Sequence, residues 1–188
     1  MSVLPILGAG LILAGSPVVS ASPFVDPSKS DFDTQATACR DGVTSAFGRY
    51  LGQWEFADSQ ITQDGTWQDG PGGEWDFHCV GEGIAVTDFY RSRAGVFGMT
   101  VRMVDPETGQ WDIIYTGEGS QAMNHLTGQV REDGSIEMHY TKPVFDPLRR
   151  ITFTPIVDNA FDWTLAISRD EGETWQDVYK MRATRRAL

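Results

Sequence analysis

From Gln53 to the end of the chain, apolar residues recur at every second position in short runs, and the links between runs are too short to hold a helix. Period two marks a strand with one buried face, because successive side chains leave a strand on opposite sides. A parallel neighbour needs a long crossover, so runs joined by short links pair antiparallel with their sequence neighbours. The links carry turn chemistry: Asp69-Gly70-Pro71-Gly72-Gly73, Asp105-Pro106-Glu107-Thr108-Gly109, Glu132-Asp133-Gly134, the stretch from Lys142-Pro143 to Asp146-Pro147, Asp158-Asn159 and Asp170-Glu171-Gly172-Glu173. Proline presets φ, glycine reaches positive φ, and Asp or Asn side chains bond their own backbone. Strands are expected near 53–58, 61–68, 74–81, 83–90, 96–104, 110–117, 122–131, 135–141, 149–157, 161–169 and 174–184. A meander of this length leaves two sheet edges, and closing it removes them. The expected fold is all-β: a single antiparallel meander β-barrel of about ten strands with a short N-terminal helix.

Alternation assigns the faces. Trp111, Ile113 and Tyr115 oppose Asp112 and Ile114; Ile136, Met138 and Tyr140 oppose Glu137, His139 and Thr141. Phe97, Met99, Val101 and Met103 oppose Thr100 and Arg102, while Trp163, Leu165 and Ile167 oppose Thr164, Ala166 and Ser168. Trp175, Tyr179 and Met181 form a further set against Gln176, Lys180 and Arg182. The aromatic and methionine-rich set is taken as the inside. Met99, Met103, Trp111, Tyr115, Met138, Tyr140 and Trp163 are then the expected lining. They either enclose a small hydrophobic or aromatic molecule or interdigitate and fill the barrel. Eight strands already leave just enough room for one ligand, and more strands leave more.

Before the first strand the character changes. No charged side chain occurs in residues 1–25, and Val3 to Gly15 is an apolar run of 13 residues. That is short of the ~20 residues of a membrane span. Val19 and Ala21 stand at the −3 and −1 positions of a signal-peptidase site, although no Lys or Arg precedes the apolar run. The expected organisation is a signal peptide over 1–21, a flexible arm over 22–34, and a barrel domain with its N-terminal helix over 35–188. Export to the periplasm or the medium follows, with no stable membrane insertion after cleavage. The alternative is a buried N-terminal segment of a cytosolic protein. In 35–51, Cys39, Val43, Ala46, Phe47, Tyr50 and Leu51 fall near one helical face, and Gly42 weakens the helix.

Cys39 and Cys79 are the two cysteines. In an oxidising compartment they can form a disulfide, stabilising by ~3–4 kcal/mol through loop entropy, or remain two separate buried thiols. The net charge of −11 repels phosphate backbones and anionic lipid, so nucleic acid is not an expected partner.

Gly52-Gln53-Trp54 at the first strand, followed by a meander, is similar to the calycin pattern of lipocalins and fatty-acid-binding proteins. That resemblance implies that Trp54 packs at the closed end against an Arg of the last strand. Arg182, Arg185 and Arg186 are available, and Arg185 is the choice. Two hairpins look closer to a bacterial lipocalin-like domain family of unknown function. One is Arg102, Asp105, Pro106, Thr108 and Trp111; the other is Ser168, Asp170, Gly172, Thr174 and Trp175, with Glu171 departing from that pattern.

Signatures of chemistry are sparse. His78, His125 and His139 make no metal-binding spacing, the glycine-rich strand motif of nitrobindin-like haem binders is missing, and no cofactor or metal is expected. No Gly-x-Ser-x-Gly elbow occurs, and Gly81-Glu82-Gly83 is a turn rather than a phosphate loop. Asp88 shares parity with Ile84 and Val86, so it is an acid inside the barrel, either poised for acid–base work or paired with an Arg or backbone amides. Arg102 can clamp a ligand carboxylate, but a salt bridge to Asp112 across the turn is the expectation. His125 has no clear face. Three readings stay open: a binder of a small apolar molecule, a cofactor-free enzyme using Asp88, His125 and Arg102, and a filled structural or interaction domain.

Overall fold

The computed structural model describes residues 32–118 and 122–186. The expected signal peptide and most of the arm lie outside them. Helix α1 covers Phe32–Asp41 and α2 covers Ser45–Gly48. One continuous helix over 35–51 is therefore not what forms. The chain turns at Gly42-Val43-Thr44, where the fully buried Thr44 hydroxyl donates to Gly83 O (3.2 Å) and leaves Val43 in solvent. That turn aims Phe47 and Tyr50 into a barrel mouth, where both are fully buried.

Gly52 then adopts φ 115°, a conformation favouring glycine, and leads into β1. The strands are β1 (Gly52–Ile61), β2 (Trp67–Asp69), β3 (Gly73–Val80), β4 (Ala85–Ser92), β5 (Phe97–Val104), β6 (Trp111–Gly117), β7 (Asn124–Val130), β8 (Ile136–Lys142), β9 (Leu148–Phe153), β10 (Ala160–Ser168) and β11 (Gln176–Arg185). From β3 onward each pairs antiparallel with the next, and β1 pairs with both β3 and β11, which closes a calycin-like meander barrel. Eleven strands make ten staves, because β2 and β3 run in line along the same side of β1.

The sequence suggests two separate strands over 53–58 and 61–68; instead β1 runs unbroken to Ile61. Thr62 to Thr66 is a tight turn held by Asp64, whose Oδ1 accepts the Thr66 N–H (3.1 Å) and hydroxyl (2.8 Å). Threonines read as strand formers here serve a turn. The break between β2 and β3 is filled by Asp58, which accepts the Gly72 N–H (2.6 Å) and the Tyr179 hydroxyl (2.6 Å). A Cβ on Gly70 would lie 2.2 Å from that carboxylate.

One end of the barrel is shut. The Trp54 indole donates to Tyr50 O (2.6 Å) and meets Phe161 edge-on at 4.7 Å. Arg185 lies opposite Trp54 across β1 and β11, its guanidinium 4.2 Å from the indole centre and donating to Leu51 O (2.8 Å). Phe47 meets Trp111 edge-on at 4.8 Å. Each such fully buried aromatic contributes roughly 1.5–3 kcal/mol from apolar burial. A disulfide between Cys39 and Cys79 ties α1 to β3 at this end.

The two hairpin signatures turn out to be turn chemistry. Asp105 accepts the Glu107 N–H (2.9 Å) and the Thr108 hydroxyl (2.8 Å). Asp170 accepts the Ser168 hydroxyl (2.7 Å) and the Thr174 N–H (2.9 Å), and Trp175 closes that loop onto Gly172 O (3.0 Å). Trp175 does not continue the inward face of Tyr179 and Met181. It lies outside, against His139 and Arg150, because β10 and β11 slip register between Leu165 and Ala166.

Candidate functional site

Inward positions follow the alternation of each strand, and their size decides where the barrel is solid. Toward the closed end they are Phe and Trp. Toward the open end they thin out and enclose a cavity of about 310 Å³. That is at the lower end of the ~300–1,000 Å³ range of small-molecule pockets.

The floor is polar. Asp88 and Arg102 sit diagonally on the inner faces of β4 and β5, whose register places Val86 opposite Arg102 and Asp88 opposite Thr100. Asp88 Oδ1 accepts the Trp75 indole N–H (2.7 Å), and Oδ2 accepts an Arg102 guanidinium N–H. Below, the guanidinium rests against Phe47, with ring centroid 4.6 Å away, and Phe77 at 5.5 Å. Ring faces supply the negative quadrupole a cation needs where water is absent. Arg102 Nε itself finds no acceptor among the described residues.

The waist is a girdle of tyrosines: Tyr90, Tyr115, Tyr140 and Tyr179 from β4, β6, β8 and β11. Tyr90 and Tyr179 hydroxyls are 3.4 Å apart, and Tyr179 donates onward to Asp58 (2.6 Å). Burial pushes the Tyr140 hydroxyl up to about 12; burial, then neighbouring Tyr90 and Asp88, raises Tyr115; burial and the Asp58 hydrogen bond raise Tyr179. These hydroxyls therefore stay neutral and can donate or accept. Room for Tyr115 comes from Gly98 and Gly117, paired across β5 and β6; a Cβ on Gly117 would lie 2.6 Å from its hydroxyl oxygen. At the mouth, the Arg149 guanidinium carbon lies over the Phe145 ring, 3.8 Å from its centroid, and Phe145 meets Tyr140 edge-on at 5.1 Å.

Of the expected lining, Tyr115, Met138, Tyr140 and Trp163 face the cavity. Met99 and Met103 do not. They lie on the outer face of β5, Met103 52% exposed, while Thr100 and Arg102 point in. Both faces of β5 carry apolar residues, and the buried partner of Arg102 on β4 decides which one turns inward. Trp111 is inside but below the cavity, packed on Phe47. The expected Arg102–Asp112 bridge is absent, since Asp112 is exposed on the outer face and Arg102 pairs with Asp88. His125 is exposed, so it does not converge with Asp88 and Arg102. The lining also includes Trp75, Tyr90, Tyr179 and Arg149, absent from the expected set. Trp75 and Tyr90 share parity with Phe77 and Asp88 and were open to the same reasoning; Arg149 gives no signal in sequence.

No protein-family model and no curated protein matches the chain. Among solved structures, it is similar to Rv2717c from M. tuberculosis at 16% identity, covering 77% of this chain and 98% of that one with a TM-score of 0.51. It is also similar to the S-type phycobiliprotein lyase CpeS from Guillardia theta, at 13% identity, 82% and 98% coverage and a TM-score of 0.52. Such likeness is one of fold.

Proposed function

We propose that this chain is an exported barrel that binds a small, largely apolar or aromatic molecule in its open half, and that it belongs with the bacterial lipocalin-like domain family its two hairpins resemble. The observation that carries the reading is the hollow: about 310 Å³ bounded by aromatic walls, above a core packed solid. A barrel needed only as a scaffold gains by filling such a space, because each unfilled void forfeits packing energy. At about 30 Å³ per water the space matches on the order of ten waters, and an apolar molecule of that size replaces them favourably. The fold likeness to a phycobiliprotein lyase is compatible with small-molecule binding. The apolar N-terminal run, the small residues at Val19 and Ala21, and a disulfide that suits an oxidising compartment support export to the periplasm or medium.

The polar floor does not favour an enzyme over a binder. Asp88 and Arg102 engage one another, and His125 is on the outside. The test is native mass spectrometry of the chain purified from its own host. A retained molecule of pocket size supports the reading. If protein prepared this way is mass-pure and no apolar probe perturbs Trp75 or Trp163 emission, the reading fails.

A further inference from the structure

A half-buried cation without a counter-charge is costly, because lost hydration is not replaced. Arg149 is such a cation. Its guanidinium lines the cavity mouth and is seated on Phe145, yet among the described residues it has neither a carboxylate partner nor a hydrogen-bond acceptor. Each of the other arginines that are not exposed has at least one acceptor for its guanidinium, Arg49 in Gly134 O, Arg102 in Asp88, Arg150 in Glu137 and Arg185 in Leu51 O, although Nε of Arg49, Arg102 and Arg150 has none. The chain has acid to spare, with a net charge of −11, so the missing partner is not a matter of supply. Asp146, in the connection just before β9, is exposed and does not pair with it.

Resting on the small-molecule reading above, we infer that the ligand is an anion: an apolar, ring-sized body with a carboxylate-like group held at the mouth by Arg149 and the Tyr140 hydroxyl. The floor sets the orientation. Arg102, the other cation lining the cavity, is already committed to Asp88, so the deep end offers an anionic group no uncommitted counter-charge. Arg149 instead offers a planar fork of donors where carboxylates are matched bidentately. Its stacking on Phe145, itself against Tyr140, holds that fork in place before the ligand arrives.

Three probes share one body and differ in charge: 2-naphthoate, methyl 2-naphthoate and 2-naphthylmethylammonium. They are titrated calorimetrically into the full chain and into Arg149→Gln and Arg149→Lys. The expected order is carboxylate, then ester, then ammonium, with the carboxylate roughly ten-fold or more tighter than the ester. Arg149→Gln brings the carboxylate down to the ester's affinity and leaves the ester unchanged, while Arg149→Lys keeps part of the preference. Equal binding of carboxylate and ester to the unaltered chain overturns the inference, as does an equal loss for both in Arg149→Gln; the cavity reading survives either result. Failure of all three probes to bind, with the native near-ultraviolet dichroism intact, removes both.

Discussion

Arg102 and Asp88 are paired at the boundary between the solid and hollow halves of the barrel, 2% and 1% exposed. Breaking such a pair from one side leaves a buried charge alone, at about 3–5 kcal/mol. Arg102→Met is expected to cost that much in denaturant unfolding. Arg102→Met with Asp88→Leu recovers most of it, leaving mainly the orphaned Trp75 N–H, about 1–3 kcal/mol. Simple additivity of the two single losses refutes this account of the pair.

The disulfide is expected to hold the N-terminal plug. Cys39 and Cys79 are separated by 40 residues, a loop whose closure in the unfolded chain corresponds to about 4 kcal/mol. Cys39→Ser with Cys79→Ser should lower the stability by about that amount in urea titrations, with the barrel's far-ultraviolet dichroism retained. A change below about 1 kcal/mol argues that the plug is held by Phe47 and Tyr50 alone.

Arg185→Gln removes a donor to Leu51 O and the cation over Trp54. A loss of about 1–3 kcal/mol follows, from one charge-assisted hydrogen bond and one cation–π contact. The near-ultraviolet signal of Trp54 should change with it. Unaltered stability in Arg185→Gln would show that the closed end does not depend on this cap.

Alkali is expected to unfold the chain through its tyrosines. Burial pushes Tyr50 and Tyr140 up to about 12 from an ordinary 10.0. The folded state therefore holds more protons than the unfolded state between these values, and stability falls as pH rises through that window. The full contribution is present below pH 10, and the slope is about 1.4 kcal/mol per pH unit for each such group that is well buried. Urea midpoints at pH 9, 10 and 11 check this, and a flat series contradicts it.

Filling the hollow separates binding from folding. Leu165 lines the cavity and is only partly buried, packing against the margin of the core cluster, so Leu165→Trp directs its added volume into ligand space. Probe binding should fall at least ten-fold while the melting temperature holds or rises. Undiminished binding would place the ligand elsewhere.

How far the site can be read from sequence differs strand by strand. On β8 one face is apolar and the other polar, and on β6 only Ile114 departs from that division, so Tyr115, Met138 and Tyr140 are placed by parity alone. On β5 parity separates Phe97, Met99, Val101 and Met103 from Thr100 and Arg102 but does not say which set is inside. There a charge goes in and the methionines go out, because Arg102 finds Asp88 and three ring faces within the barrel. Trp175 fails for another reason: a register slip in β11 reverses the parity count before it.

Period two, short links and turn residues determined by themselves that this chain is an antiparallel meander, since backbone geometry allows no other pairing at those link lengths. The alternation within each strand is equally local, whereas the bond between Cys39 and Cys79, 40 residues apart, stays open until α1 and β3 are brought together. Only the tertiary structure decided which face of β5 turns inward, where the aromatic filling stops, and that Arg149 is left without a partner at the mouth. Each of these depends on side chains of other elements, from Asp88 on the neighbouring β4 to ring faces across the barrel, and the pattern within one strand carries no information about partners it meets only on folding.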